Sequence, residues 1–352
     1  MIAVVADDLS GAAELAGAAL RHGLTAEVQL VFAPDTAAEV VCVTTESRSL
    51  PAADAARRVA EVTRAVMATH PAWIFKKCDS MLRGPVLAEA RAAAEAAGKS
   101  RIVLLAANPS RQRIVRDGIC FVGGVPLAET RLARDPEHPR RSSRVADLLG
   151  GDLAGVATPD AVTTSDPFGQ AADIDEATLP VGGVDFFAAL LAVRCARRPE
   201  RAAMVDPAGP VLAVCGSAAA WAQRQDQAAA RGIPIFALPP DTRAIDRTLR
   251  ETGRALAGIG SDAAAGGQSP AQLLGRLAQA LGEVISRGAA RRILLEGGAT
   301  AAALVSTGGW TRLAVLAAPA PGVTVLRPAG ADGPLLFVKP GSYDWPAALW
   351  PG

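Results

Sequence analysis

Short apolar runs recur along this chain, and most end abruptly in aspartate, glycine or lysine. Ile2 to Ala6 is the first, five apolar residues without a polar interruption, the pattern of a buried strand. It stops at Asp7-Asp8-Leu9-Ser10-Gly11, and a helical pattern follows from about Ala12 to His22, with Gly23 as its stop. The same reading predicts strands at Ala26 to Phe32, Val40 to Thr44, Trp73 to Lys77 and Arg101 to Ala107. Helices are expected at Ala52 to Ala68 and Pro85 to Ala97. Strand alternating with helix at this spacing argues for a mostly parallel α/β sheet.

Ser110 to Ser143 breaks the pattern. It reads as irregular and basic, with Arg111, Arg113, Arg116, Arg131, Arg134, Arg140 and Arg141, and Arg144 just beyond. Such a stretch is either a solvated excursion or a flap over an anionic ligand. Pro159 to Asp175 reads as loop and Ala188 to Arg198 as helix. A polar, Pro-rich joint spans Arg197 to Arg201 and Asp206-Pro207-Ala208-Gly209-Pro210.

Beyond the joint the pattern restarts. Val211 to Cys215, Ile233 to Leu238, Arg292 to Leu295 and Leu335 to Lys339 read as strands. Ala218 to Arg231, Ala271 to Arg287 and a stretch from Ala301 read as helices, and Gly258 to Gly267 as a small, flexible segment. The expected fold is therefore two α/β domains, 1–205 and 206–352. Each carries a mostly parallel or mixed sheet flanked by helices, with an active site in the cleft between them.

Composition narrows the picture. Half of the 352 residues are hydrophobic, ample for two cores. With 36 Lys and Arg against 35 Asp and Glu, the formal charge of +1 gives no electrostatic argument for nucleic acid or membrane. One Tyr and eight Phe leave few platforms for stacking bases. Cys42, Cys78, Cys120, Cys195 and Cys215 show no CxxC spacing and read as buried thiols in a reducing compartment. His22, His70 and His138 sit in no metal or triad motif. No leader-like segment or long apolar run is read, so a soluble, cytoplasmic protein is expected, with a homodimer as one possible assembly.

Chemistry concentrates at strand ends. Asp7 and Asp8 close the first strand, Glu46, Ser47 and Arg48 follow Val40 to Thr44, and Lys76, Lys77, Asp79, Ser80 and Arg83 follow or end the strand from Trp73. Cations suit an acidic substrate, and a carboxylate can take a hydroxyl proton or bind Mg²⁺. Asp8 is either a helix cap or the catalytic carboxylate; alternation makes Asp7 its rival, and proximity to Gly11 favours Asp8. The second half carries three glycine turns at strand ends: Gly216-Ser217, Gly297-Gly298-Ala299-Thr300 and Gly341-Ser342. Bare backbone N–H groups of that kind suit phosphate. Gly98-Lys99-Ser100 imitates the end of a P-loop but closes a helix instead of opening one. An acid-binding half and a phosphate-binding half together suggest phosphoryl transfer.

These motifs resemble a known family. Ala6 to Ala12 is similar to the Ala-Asp-Asp-Leu-Thr-Gly-Ala opening of the four-carbon acid sugar kinases, and Lys77 to Gly84 to their Lys-x-Asp-Ser-Thr-Leu-Arg-Gly. Asn108-Pro109, Asp117-Gly118, Val125 to Thr130, Asp135-Pro136, Gly216-Ser217 with Gln225, Gly297 to Ala301, Pro321-Gly322-Val323 and Lys339 to Tyr343 extend the likeness over most of the chain. The resemblance implies an enzyme that uses ATP with Mg²⁺ to phosphorylate threonate, erythronate or 3-oxo-tetronate. It places the acid in the first domain, at Asp7, Ser10, Lys77, Asp79, Ser80 and Arg83, with Asp8 catalytic. It places ATP in the second, at Ser217, Gly297, Gly298, Ala299, Thr300 and Gly341. The chain departs from the family at Ala299, where Glu is usual, at Ala219 and Ala222, and in Pro340 to Asp344. Those departures leave a second reading, a relative that binds a sugar acid with an eroded nucleotide site.

Overall fold

The computed structural model describes the chain except residues 131, 132, 134–137, 197, 199–204, 206, 207, 261–266, 331, 332, 342, 351 and 352, and the side chain of Ala219. Parts of the expected joint (Arg197, Pro199 to Arg201, Asp206 and Pro207) lie outside the described residues, as do Arg131, Arg134, Asp135, Pro136, Ser342 and most of the segment after Gly258. The chain divides into two compact units, Met1–Arg201 and Ala202–Gly352.

Unit 1 runs β1 (Ile2–Ala6), α1 (Leu9–Arg21), β2 (Ala26–Gln29), β3 (Val40–Thr44), α2 (Ala52–Met67), β4 (Trp73–Lys77), α3 (Val86–Ala96) and β5 (Arg101–Leu105). It continues with β6 (Arg113–Arg116), β7 (Ile119–Val122), β8 (Val125–Pro126), α4 (Val145–Leu149), β9 (Val156–Ala157), α5 (Asp166–Ala172), β10 (Thr178–Gly182) and α6 (Val184–Arg194). The main sheet has the order β2-β3-β1-β4-β10-β5-β9, with parallel pairing throughout. In register, Ala6 lies beside Thr44 and Lys77, and Lys77 beside Gly182. The residues that follow β1, β3 and β4 therefore leave the sheet at one edge. The chain goes from β1 to β3 on one side and β4 on the other, so Asp7 and Asp8 stand at a topological switch point, where open sheets bind ligands.

Helix α1 is buried from Leu9 to Leu20, which its Ala and Gly content permits by keeping the helix thin. Helix α6 packs Phe186 and Phe187 against Trp73 and Phe75 of β4, with ring centroids 5.2–5.9 Å apart. That aromatic contact helps place α6 at Val184–Arg194 instead of the expected Ala188 to Arg198. Strand β2 ends at Gln29, short of Phe32, because the Gln29 amide bonds both the N–H and the carbonyl of Ala33 and so stands in for a strand neighbour.

The basic stretch from Ser110 is regular in its first part, from Arg113 to Glu129. Strands β6, β7 and β8 form an antiparallel sheet of their own, turning at Asp117-Gly118 and Gly123-Gly124. Asp117 and Gly118 have φ of 51° and 69°, the left-handed pair that a two-residue hairpin turn requires. An Asp-Gly step between two β-rich runs was the signal in the sequence. Pro159 to Asp175 likewise contains α5.

Unit 2 runs β11 (Val211–Cys215), α7 (Ala218–Ala229), β12 (Ile235–Ala237), α8 (Thr242–Thr252), β13 (Arg254–Gly258), α9 (Pro270–Ser286), β14 (Arg292–Glu296), α10 (Gly298–Thr307), β15 (Arg312–Ala320), β16 (Val323–Pro328) and β17 (Leu335–Lys339). Its strand order is β12-β13-β11-β14-β17-β16-β15, parallel as far as β17 and antiparallel beyond. Cys215 registers with Gly258 and Glu296, and Glu296 with Lys339. Gly258 was expected to be flexible; a Cβ there would lie 2.1 Å from the Trp221 ring, so it is glycine to admit that core side chain. The hairpin of β15 and β16 went unread because Leu313 to Ala320 is nearly all apolar and shows no alternation.

Candidate functional site

Asp8 is the N-cap of α1. Its Oδ1 accepts the Gly11 N–H at 2.8 Å, and its Oδ2 accepts the Ser10 hydroxyl at 2.7 Å and Arg48 Nη1 at 2.8 Å. A Cβ on Gly11 would come within 2.7 Å of that carboxylate, which accounts for the glycine. Asp7 is bound from the same guanidinium: Arg48 Nε donates to its Oδ2 at 2.7 Å. Arg48 Nη2 lies 4.0 Å from Asp79 Oδ1. One arginine thus ties together carboxylates from the ends of β1 and β4. Sequence reasoning placed Arg48 at a strand end but gave it no role; the visible signal was the Glu46-Ser47-Arg48 run at the same sheet edge as Asp8.

Burial pushes the Asp7 carboxyl up, but Arg48, Lys77 and Lys76 together outweigh it and hold the group below the usual carboxylate range. Among the described residues Asp7 Oδ1 is buried with no hydrogen-bond partner, so the carboxyl is held by the Arg48 bond to Oδ2 and by the charges around it. Asp79 is pushed up by burial and pulled well below 3.8 by Arg83 and Arg48. Arg83 grips Asp79 with two nitrogens, Nε to Oδ2 and Nη2 to Oδ1, each at 2.9 Å. Arg83 is thus held in a bidentate ion pair with Asp79 at this sheet edge.

Lys76 and Lys77 point apart, as strand alternation requires. Lys76 is buried against Glu89 of α3 at 2.7 Å, and Glu89 in turn accepts the Ser47 hydroxyl at 2.7 Å. Lys77 turns toward α1 near Gly11, and its ammonium donates to the Cys78 carbonyl at 2.6 Å. Ser80 accepts from Arg113 Nη1 at 2.5 Å, and Arg140 Nη1 donates to the Leu82 carbonyl at 3.0 Å. These two arginines of the basic stretch are docked on the Asp79 to Arg83 loop, Arg113 buried and Arg140 half-buried. Leu82 has a φ of 56°, strain that the Arg140 contact accompanies.

In unit 2 the ends of β14 and β17 share a buried ion cluster. Arg224 of α7 binds Glu296 with Nε at 2.7 Å and Nη2 at 2.8 Å, and Lys339 Nζ lies 3.0 Å from Glu296 Oε1. Arg224 lies over the Trp350 ring and Lys339 over Trp345. Burial raises Glu296, but Arg224 and Lys339 reverse the shift and keep it below 4.5. Lys339 also donates to the Tyr343 carbonyl at 2.6 Å, and its own carbonyl accepts the Gly297 N–H at 2.9 Å. Gly297 (φ 89°) and Gly341 face each other: a Cβ on either would meet the other's Cα at 3.7–3.9 Å.

Helix α10 starts at this pair with no side-chain cap and no acid in its first turn, and Ala299 is exposed there. Thr300 is different: its side chain is buried against Gly216, where a Cβ would lie 2.4 Å from Thr300 Oγ1. Gly216 is thus a packing glycine, and the Thr300 side chain is taken up in that packing. Ser217 is the N-cap of α7 without a side-chain cap bond. A cavity of about 370 Å³, lined by Ile285, Arg291, Thr307, Trp310 and Pro334 among others, lies at the opposite ends of these strands. Among the described residues no group of three or more His, Cys, Asp or Glu could hold a metal ion.

Residues 2–180 match the family model of the sugar-binding N-terminal domain. The chain is 33% identical over 353 residues to the D-threonate kinase of Bordetella bronchiseptica, covering 90% of this chain and 84% of that one. It belongs to the four-carbon acid sugar kinase family. A 3-oxo-tetronate kinase of Methylobacterium radiotolerans is 30% identical over 96% of this chain and 95% of its own length. With the D-threonate kinase of Salmonella typhimurium the match is 38% over 149 residues, 42% of this chain and 35% of that one. Among solved structures, a Haemophilus influenzae protein superposes with a TM-score of 0.72 at 18% identity, covering 97% of each chain, and shows the fold. A Bordetella bronchiseptica domain of unknown function, solved with bound citrate as a domain-swapped dimer, has a TM-score of 0.50 at 27% identity and covers 97% of this chain and 95% of its own.

The kinase family places this chain among phosphotransferases of sugar acids. Cys42, Cys78, Cys120 and Cys215 are buried, while Cys195 is only half-buried. No described helix is long and apolar enough to cross a membrane.

Proposed function

We propose that this member of the family transfers the γ-phosphoryl group of ATP to a hydroxyl of a four-carbon sugar acid of the threonate, erythronate or 3-oxo-tetronate type. The observation that carries the reading is the convergence of Arg48, Lys77 and Arg83 with Asp7, Asp8 and Asp79 at the switch point of the unit 1 sheet. Lys77 and Arg83 are assigned to the substrate carboxylate, with Ser10 and Ser80 as hydroxyl partners. Asp8 is the residue on which turnover most depends, since it holds both Arg48 and the start of α1. Asp7 and Asp79 keep the two arginines aimed. A relative bound to citrate supports an acid-binding site in this fold.

ATP is assigned to unit 2. Phosphoryl transfer asks a protein for positioning and charge neutralisation. The facing glycines, the open start of α10 and the exposed Ala299 suit the phosphates; the backbones of Gly298 and Thr300, and Ser217 on the neighbouring turn, complete the assigned set. Asp7, Asp8, Asp79 and Glu296 are each engaged by Arg or Lys, so Mg²⁺ would be carried mainly by the nucleotide phosphates and water, its usual mode. When bound, it would neutralise charge on the transferred group.

Incubating the protein with ATP, Mg²⁺ and a panel of three- to six-carbon sugar acids tests the reading. ADP release with a four-carbon acid is expected; ATP binding without consumption of any acid would leave the eroded-site reading instead. Gly341→Ala refines the nucleotide assignment. Among the described residues its Cβ meets no atom closer than 3.7 Å, so the melting temperature should stay at the parent's value. The KM for ATP should rise about tenfold, the effect of roughly 1.4 kcal/mol. A parent-like KM would move the phosphates elsewhere. The domain-swapped relative also supports a homodimer, which light scattering would detect as twice the chain mass.

A further inference from the structure

Glu46 stands at the end of β3, on the sheet edge that carries Asp8. Its backbone is left-handed, with φ 45°, a conformation that costs a side-chain-bearing residue energy and recurs at functional sites. Its carboxyl accepts the Thr44 hydroxyl at 2.6 Å and the N–H of Leu9, the first residue of α1. Among the described residues no Arg or Lys nitrogen lies within 4.0 Å of it, whereas Asp7 and Asp8 are tied to Arg48, Asp79 to Arg83 and Glu89 to Lys76. The charged groups that act on Glu46 are Asp8, from the α1 cap, and Arg48, from its own loop.

We propose that Glu46 is the base that takes the proton of the substrate hydroxyl. The inference rests on the kinase reading above. In the step, the hydroxyl oxygen forms a bond to the γ-phosphorus, and the bond from that phosphorus to the β–γ bridging oxygen breaks. The electron pair leaves with ADP, and the O–H proton passes to the Glu46 carboxylate. Asp8 is poorly placed for this, with three donors already on its two oxygens, and acts through Glu46 and Arg48. Burial and the Asp8 charge push the Glu46 carboxyl up to about 7, against the Thr44 hydroxyl, Arg48 and the Leu9 N–H. A base works best when its affinity for protons matches the operating pH.

The test is the dependence of kcat on pH for the parent, Glu46→Gln and Thr44→Val, from about pH 5 to about pH 9. Gln keeps the shape and still accepts the Leu9 N–H, so a capping role would survive it. The parent should lose turnover as pH falls through about 7. Glu46→Gln should fall by about 100-fold or more at alkaline pH and lose that limb. Thr44→Val removes a donor that favours the carboxylate, so its limb should move to higher pH. A limb unchanged in both variants, with parent-like turnover, would belong to the nucleotide and overturn the proposal. A parent that phosphorylates no sugar acid would overturn the kinase reading, and this proposal with it.

Discussion

Replacing Arg48 by methionine should cost unit 1 about 3–5 kcal/mol at neutral pH, the usual effect of removing one partner from a buried ion cluster. That is a large part of the roughly 5–15 kcal/mol by which domains are stable. Asp7 and Asp8 would lose their shared guanidinium while staying buried. The sign of the pH response is the diagnostic. In the parent, Asp7 has a folded pKa below its unfolded value, so its contribution is present above about pH 4 and is lost as pH falls through the folded pKa. Without Arg48 the burial contribution gains on the remaining lysines, and the folded pKa rises. We expect burial, the largest single influence on Asp7, to carry it past the unfolded value, and stability then falls as pH rises. The variant should therefore melt closer to the parent at pH 5 than at pH 8, and turnover should be lost at both. Equal melting temperatures at pH 8 would mean that Arg48 is dispensable to the cluster.

The second large effect is expected at Glu296→Gln. The substitution preserves shape but removes the buried counter-charge of Arg224 and Lys339 and leaves them the exposed Asp344, 3.9 Å from Arg224, in its place. About 3–5 kcal/mol of unit 2 stability should go, through repulsion between two cations that now share one amide. Because Lys339 holds the Tyr343 carbonyl, and Trp345 and Trp350 lie against the two cations, the tail should loosen first. Tryptophan fluorescence should shift to the red before global unfolding. The Glu296 pKa is below 4.5 in the folded state, so the carboxylate's advantage over Gln is present above that value and fades as pH falls through the folded pKa. Parent-like fluorescence and melting at neutral pH would show that the cluster contributes little.

Much of the fold was legible from local pattern. The runs at Ile2–Ala6, Val40–Thr44, Trp73–Lys77, Val211–Cys215 and Leu335–Lys339 read as strands because continuous apolar stretches bounded by glycine or charge have few other solutions. Where helices and strands were missed, a nonlocal contact or a weak pattern decided them. Helix α6 is placed with the help of Phe186 and Phe187 on β4, and β15 is drawn from an apolar run without alternation. The parallel sheet then brings strand ends together, so the list of candidate residues could be compiled from the sequence without knowing which of them touch.

The sequence by itself determined that Asp7, Asp8, Lys77, Asp79 and Arg83 sit at strand ends, and that Gly297 and Gly341 follow strands in the second half. Only the tertiary structure decided their partners. Arg48 reaches Asp7 and Asp8 because β3 and β4 flank β1, a pairing between residues some 40 positions apart. Gly216 and Gly297 look alike as turn glycines, yet one is packed against Thr300 and the other opens onto Gly341. Glu46 is an ordinary glutamate in the sequence; its left-handed backbone, its burial and the Asp8 charge are what change its chemistry. Strand-end position is a local property of the chain, whereas ion pairing, burial and proton affinity depend on which side chains the fold packs together.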